Sequence, residues 1–431
     1  LRKPGGKPAS TYETSLQTMV LCAAEPQRDL LLIKRNVTWF EDNQISAGEA
    51  KGAWSYPSGR GDNSNAQFAL LALHEAERVG VKVKDETWRS ALGYWQRMQN
   101  PDGSWGYMGK NDEGSASMTC AGISSVIIAS GRLNEGEATA NGKLVQCCGQ
   151  QAPNLAVERA LAWLGQSFSV HNNSGGNGQW LLYYLYGVER VGRLTSRRFI
   201  GDHDWYREGA EYLVREQDSL SHYWQGSWHA ERNPHISTAL SLLFLAKGRR
   251  PIVMAKVKYG VGDEWNQHRR DAAHLTEYTE QAWDLGLTWQ IMNPTTATVD
   301  DLLQAPVLYI SGSQALELIP QAQKLRDYVD RGGFIFAEAC CSDSHKFDEA
   351  FRQLMTAVFP EPEYQLQRVI PAHPIWRMQE MVRPDSPYAG HLWGVEYGCR
   401  TCVIYADQDL SCYWELAQPG QWRHYPQPVT Q

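Results

Sequence analysis

The sequence predicts two domains of different class: an array of stacked helical hairpins over residues 1–250, then a doubly wound α/β domain over 251–431. Three observations carry this. Apolar segments of helical period recur in pairs through the first half. Short apolar runs alternate with amphipathic segments through the second. The pattern changes at Lys247-Gly248-Arg249-Arg250-Pro251.

Taken in order, helices are expected at Tyr12 to Leu21 and Leu30 to Phe40, then at Asn63 to Ala76 and Trp88 to Met98. The next pairs are Ser115 to Ser130 with Ala156 to Leu164, and Gln179 to Val191 with Trp205 to Glu216. His235 to Ala246 begins a last pair. Within the second pair, Phe68, Leu70, Leu71 and Leu73 fall at helical spacing. The first helix of each pair is the inner one, so Asn65 to Leu73 and Ser117 to Ile128 should lie inside. The second helices carry Trp39/Phe40, Tyr94/Trp95, Trp163/Leu164 and Tyr212/Leu213 at matching places. Such matches read first as repeat packing and second as a binding stripe. Asp62-Asn63-Ser64 and Ser115-Ala116-Ser117 supply N-caps, and Pro234 opens the last helix.

In the second half, Ile252 to Val257, Val307 to Gly312, Phe334 to Ala339 and Thr401 to Tyr405 read as strands. Gln321 to Val329 and Phe347 to Val358 read as helices. Strands alternating with helices imply a parallel sheet covered on both faces, with 307–310 and 334–338 adjacent and parallel.

Composition narrows function. A net charge of −7 argues against nucleic acid and anionic membrane as partners. No apolar run approaches the roughly 20 residues of a membrane helix. The 17 tryptophans fill gaps between helices or line pockets. The start, Leu1-Arg2-Lys3-Pro4-Gly5-Gly6, has neither an initiator Met nor a signal-peptide apolar region, and reads as trimmed. Nine cysteines, with vicinal pairs at Cys147-Cys148 and Cys340-Cys341, do not resemble a disulfide framework. Cys399 and Cys402 form one Cys-x-x-Cys pair with no second pair to complete a zinc site. No metal and no cofactor is expected.

The loop Gln99-Asn100-Pro101-Asp102-Gly103-Ser104-Trp105-Gly106 resembles the glutamine-tryptophan motif of the squalene-hopene cyclase and prenyltransferase repeat family. The resemblance implies an α/α toroid lacking its first repeat. The segments 305–312 and 325–341 resemble a bacterial domain of unknown function with a class I amidotransferase-like, flavodoxin-like sheet, as do Phe347-Asp348-Glu349-Ala350-Phe351, His373-Pro374-Ile375-Trp376 and Gly398-Cys399-Arg400-Thr401. It carries no assigned activity. Relatives with export signals imply a periplasmic or extracellular protein.

The chemistry of these families is not matched. Cyclases protonate an alkene with clustered aspartates, and no Asp-x-Asp-Asp occurs. Asp202-His203-Asp204 precedes an outer helix and reads as its N-cap, and Asp62 stands alone. The zinc-holding Asp, Cys and His of protein prenyltransferases have no local counterpart around Cys120, His222, His229 or His235. Cys147-Cys148-Gly149-Gln150-Gln151 faintly resembles a thioester loop and reads as a surface turn.

In the second domain Glu338, Cys340 and Cys341 follow a buried strand, where doubly wound sheets bind ligands, with His345 and His373 as partners for a thiol. The Gly-x-Cys-x-Gly elbow is absent, and Glu338 opposes thiolate formation, so Cys340 is expected not to be a nucleophile. The leading reading is a binding or scaffolding protein. Its partner would be an apolar or carbohydrate-like ligand in the toroid cavity, or another protein. The alternative is an enzyme, either a terpenoid-type cyclase or transferase, or a cysteine-dependent hydrolase built on Cys340, Glu338 and His373.

Overall fold

The structure, a computed structural model, describes residues 8–57, 59–133, 139–141, 144–146, 154–176, 178–246, 250–260, 262–341, 345–378, 382 and 390–415. The chain forms two compact units: Leu1–Glu135 with Asn154–Lys247, and Gly136–Pro153 with Gly248–Gln431.

The first unit is helical: α1 (Thr11–Ala24), α2 (Pro26–Asp42), α3 (Asn63–Arg78), α4 (Asp85–Met98), α5 (Ala116–Leu133), α6 (Leu155–Ser167), α7 (Leu181–Thr195), α8 (Trp205–Glu216) and α9 (Pro234–Leu245). Helices α1, α3, α5, α7 and α9 pack one on the next as an inner row, and the even-numbered helices lie against them. The sequence explains the layering. In α3 every residue from Asn63 to Leu73 is buried, as an inner helix with no polar face requires. In α4 only one stripe is buried, through Trp88, Ala91, Tyr94, Trp95 and Met98, and its other face is charged. Helix α5 is long and apolar enough to span a membrane, but most of it is buried inside the unit, as befits a core helix.

One device recurs along the repeats. Trp54 Nε1 donates to Phe40 O (2.8 Å), Trp105 Nε1 to Trp95 O (2.9 Å) and Trp224 Nε1 to Leu213 O (2.7 Å). Each acceptor is the second residue of a matched pair in an outer helix, so each indole pins a loop to the helix before it. The Trp105 ring lies on Gly122, where a Cβ would meet it at 2.3 Å. Gln99 Nε2 donates to Gly103 O (2.9 Å) and to Ala156 O (2.8 Å), which ties this loop to the next hairpin. The N-cap expected of Asp202-His203-Asp204 is observed at Asp204. Asp202 is exposed, whereas Asp204 caps α8 through Arg207 N and pairs with Arg198.

Helix does not extend through all of the first 250 residues. A hairpin of β1 (Thr139–Asn141) and β2 (Leu144–Gln146) follows α5 and groups with the second unit.

The second unit contains β3 (Ile252–Val257), α10 (Asp271–Trp283), β4 (Thr288–Met292), α11 (Val299–Leu302), β5 (Val307–Gly312), α12 (Ala322–Asp330) and β6 (Phe334–Ala339). It continues with α13 (His345–Val358), β7 (Gln367–Arg368), β8 (Leu392–Tyr397), β9 (Arg400–Ala406) and α14 (Ser411–Glu415). The sheet order is β4-β3-β5-β6-β9-β8-β7. The first five strands are parallel, in the 2-1-3-4-5 order of doubly wound sheets. Strands β5 and β6 are in register from Val307↔Phe334 to Gly312↔Ala339, with α12 between them in sequence. The expectation of a wholly parallel sheet is corrected: β8 and β7 run antiparallel, so the sheet is mixed. Gly398 and Cys399, both at positive φ, turn β8 directly into β9, and so short a connection can only join antiparallel strands.

Candidate functional site

The helical unit holds a cavity of about 410 Å³. Its walls come from the amino ends of the inner helices and the loops before them. Tyr12 opens α1, Ser64 opens α3, Ser117 and Met118 open α5, and Trp180 and Tyr183 open α7, while Tyr56 and Tyr107 come from loops.

The aromatic rings form a connected series, with Phe68 behind the lining joining Tyr12 to Tyr183. Ring centroids lie 5.8 Å apart for Tyr56 and Tyr12, 4.5 Å for Tyr12 and Phe68, 6.3 Å for Phe68 and Tyr183, and 6.5 Å for Tyr183 and Trp180. Trp180 has φ +60°, a left-handed conformation costly for a side chain of this size. Asn173 fixes the neighbouring loop. Its Oδ1 accepts from Ser117 N (2.9 Å), and its Nδ2 donates to Ser117 Oγ (3.1 Å) and to Gln179 O (2.9 Å).

Asp112 and Glu113 line the cavity, and Asp62 and Glu231 bind lining residues from behind. Asp62 is buried and caps α3: its Oδ1 accepts from Ser64 Oγ (2.6 Å) and Asn65 N (2.9 Å), and its Oδ2 from Asn65 Nδ2 (2.8 Å). Asp112 Oδ2 accepts from Tyr107 N (2.8 Å) and Met108 N (2.9 Å). Glu231 Oε1 accepts from Tyr183 N (2.7 Å) at the start of α7, although burial raises its pKa. Glu113 is exposed at the rim. Burial lifts the Tyr12 hydroxyl well above its ordinary range and that of Tyr107 to about 12, and Asp62 adds to both shifts. These hydroxyls therefore stay neutral. Three donors on Asp62 fix it as the cap of α3.

A second concavity of about 1120 Å³ adjoins α4. It is open, with Arg60, Arg97 and Lys110 beside Glu49 and Asp112 in its lining and Tyr94 as its one aromatic residue.

The α/β unit carries a buried polar network at the carboxyl ends of β3, β5, β6 and β9. Lys256 Nζ lies 2.7 Å from both Asp271 oxygens and 2.6 Å from His268 O. The Tyr309 hydroxyl lies 3.0 Å from Asp271 Oδ2 and 2.5 Å from Glu338 Oε1. Glu338 also binds the Ser411 hydroxyl, and its Oε2 accepts from Leu410 N and Ser411 N, each at 3.0 Å. His268 Nδ1 lies 2.6 Å from Ser411 Oγ, and its Nε2 lies 3.5 Å from Asp409. Burial pushes Glu338 up to about 6, reinforced by Asp409, and burial also pushes Asp409 up to about 6. The array resembles a Ser-His-Asp relay, but Glu338 holds both the Ser411 hydroxyl and its amide. The result is a pin fastening the 409–415 segment to the sheet.

Ligating atoms of His268, Asp271 and Glu338 lie within 4.8 Å of one another, as do those of His268, Cys341 and Asp409. In the first set Lys256 already supplies the cation. In the second, Cys341 is disulfide-bonded and offers no thiolate. Cys412 is disulfide-bonded too, although the spacing of the nine cysteines does not resemble a disulfide framework.

Of the three residues Cys340, Glu338 and His373, the structure brings Glu338 and Cys340 together. Cys340 is fully buried, and burial, with Glu338 and Asp409 nearby, drives its thiol pKa far up. His373 binds Thr401 Oγ1 (2.9 Å) at the amino end of β9, the opposite end of the sheet from Glu338. His345 is exposed at the start of α13. The trio Cys340, Glu338 and His373 is therefore not assembled. Cys120 is buried with a raised pKa, and His229 stacks on Trp180. Among the described residues, neither belongs to a metal-ligating group. Cys147 to Gln151 lie outside the described residues. Sequence reasoning missed Lys256, His268, Asp271, Tyr309, Asp409 and Ser411. Lys256 was the available signal: a charged residue inside an apolar strand needs a buried partner.

Residues 253–430 match the family described as a domain of unknown function, DUF4159. No curated protein matches the chain. Among solved structures, the chain is similar to the type II terpene cyclase MstE from Scytonema (apo), at 11% identity and a TM-score of 0.28. That similarity covers 57% of this chain and 92% of that one.

Proposed function

We propose that the chain is a ligand-binding protein whose helical unit is an α/α toroid used as a receptor, without cyclase acid chemistry. The observation that supports this is the aromatic lining of Tyr12, Tyr56, Tyr107, Tyr183 and Trp180, backed by Phe68 between Tyr12 and Tyr183, at a cavity sized for one small molecule. Aromatic faces and hydroxyls in one wall suit an apolar or carbohydrate-like body with a polar handle. The amidotransferase-like α/β unit acts in this reading as a companion domain closed by its own buried network, without thiol chemistry at Cys340. Export to the periplasm or outside the cell is part of the proposal, supported by the disulfide-bonded Cys341 and Cys412.

The test is titration with a neutral apolar fluorophore, N-phenylnaphthylamine. Its emission should rise on binding the wild type, and Gln179→Trp, which fills the cavity from a half-buried loop position, should abolish the rise. Equal binding by both proteins would place the ligand elsewhere and defeat the reading.

A further inference from the structure

The cavity's charge is one-sided. Its lining includes Asp112 and Glu113, and no Lys or Arg. Asp62 lies behind Ser64, and Glu231 holds the backbone of Tyr183. Arginines gather instead in the last turns at the other ends of the same helices, with Arg78 on α3, Arg132 on α5 and Arg193 on α7. Helix dipoles account for the direction of this asymmetry, because amino ends attract acids and carboxyl ends attract bases. They do not account for its size. Four helix amino ends carry about half a positive charge each, about two in all, against the three carboxylates of Asp62, Asp112 and Glu113, with Glu231 a fourth. Burial raises the pKa of Glu231, yet three carboxylates remain beside it. The surplus is negative, and it faces an aromatic wall whose ring faces are themselves electron-rich.

An anionic ligand would meet this net negative surplus and no Lys or Arg in the lining. A neutral ligand would leave the surplus unused. Resting on the reading of this cavity as a binding site, we infer that its ligand is an organic cation, an amine or quaternary ammonium, held over the rings of Tyr12, Tyr183 and Trp180 and drawn in by Glu113 at the rim. A tyrosine-rich wall suits this role, because its hydroxyls stay neutral and do not compete for the cation as anions would.

The experiment compares matched probes by calorimetric titration of the full chain: meta-hydroxyphenyl-trimethylammonium, its uncharged carbon isostere meta-tert-butylphenol, and meta-hydroxybenzoate. The ammonium probe should bind at least about tenfold more tightly than the isostere, and the benzoate should not bind. Glu113→Gln, at an exposed position, should weaken the ammonium about threefold and leave the isostere unchanged. Gln179→Trp should abolish binding of both. Isostere binding as tight as the ammonium, benzoate binding, or no ammonium binding at all would overturn the inference. N-phenylnaphthylamine carries no charge, so its cavity-dependent binding judges the receptor reading separately.

Discussion

Replacing Lys256 by Met should loosen the α/β unit severely while keeping the volume of the side chain. Lys256 is 1% exposed, and its ammonium is the counter-charge to Asp271, which is fully buried. Met removes the charge and three hydrogen bonds to Asp271 and His268. The Tyr309 hydroxyl remains beside Asp271, but the carboxylate is left without a cation. Breaking a buried pair on one side costs about 3–5 kcal/mol. Native-state hydrogen exchange is the suitable assay, because two units make a single unfolding midpoint ambiguous. Amides of β3, β5 and β6 should lose more than about a hundredfold of protection, while those of α3 and α5 should not change. Adding Asp271→Asn to Lys256→Met should recover most of the loss, since it removes the stranded charge. A single variant within about 1 kcal/mol of the wild type would refute the reasoning.

Further predictions follow from the same contacts. Glu338 and Asp409 hold their protons more tightly when folded, at about 6, than at their ordinary values, so the folded unit binds more protons than the unfolded chain. Their contribution is therefore greatest below the ordinary carboxylate range and is lost as pH rises through about 6. Exchange measured on either side of that pH should show the decline, and Glu338→Gln with Asp409→Asn should flatten it. Trp105→Ala should cost the helical unit about 3–5 kcal/mol in urea unfolding, because it leaves a void against Gly122 and removes the bond to Trp95 O; a loss below about 1 kcal/mol would contradict the pinning role. Brief alkylation of the native chain should label Cys399, free and exposed, and spare Cys340. Rapid labelling of Cys340 would restore the hydrolase reading.

The periodic elements were legible in the sequence because burial writes them there. All nine long helices of the first unit and strands β3, β5, β6 and β9 overlap the predicted segments. Strand β8 was missed because Gly394 and Glu396 interrupt its apolar run. Strand β4 was missed because Thr288-Trp289-Gln290-Ile291-Met292 has no clear period of two. The sites were harder to read. Tyr12 and Tyr183 share the cavity from α1 and α7, three hairpins apart, and Phe68 joins their rings. The network draws Lys256, Tyr309, Glu338 and Ser411 from four places far apart in the chain. Only the sheet order brings them together. Asp62 was recognised as a cap but not as part of a negative surplus, because its companions Asp112 and Glu231 lie far away in sequence.

The measurement that bears most directly on the account is a crystal structure of the full chain grown with meta-hydroxyphenyl-trimethylammonium. The account predicts density for the ammonium group against the faces of Trp180 and Tyr183, within about 6 Å of the ring centres. An unoccupied cavity, with the probe bound elsewhere or not at all, would contradict it.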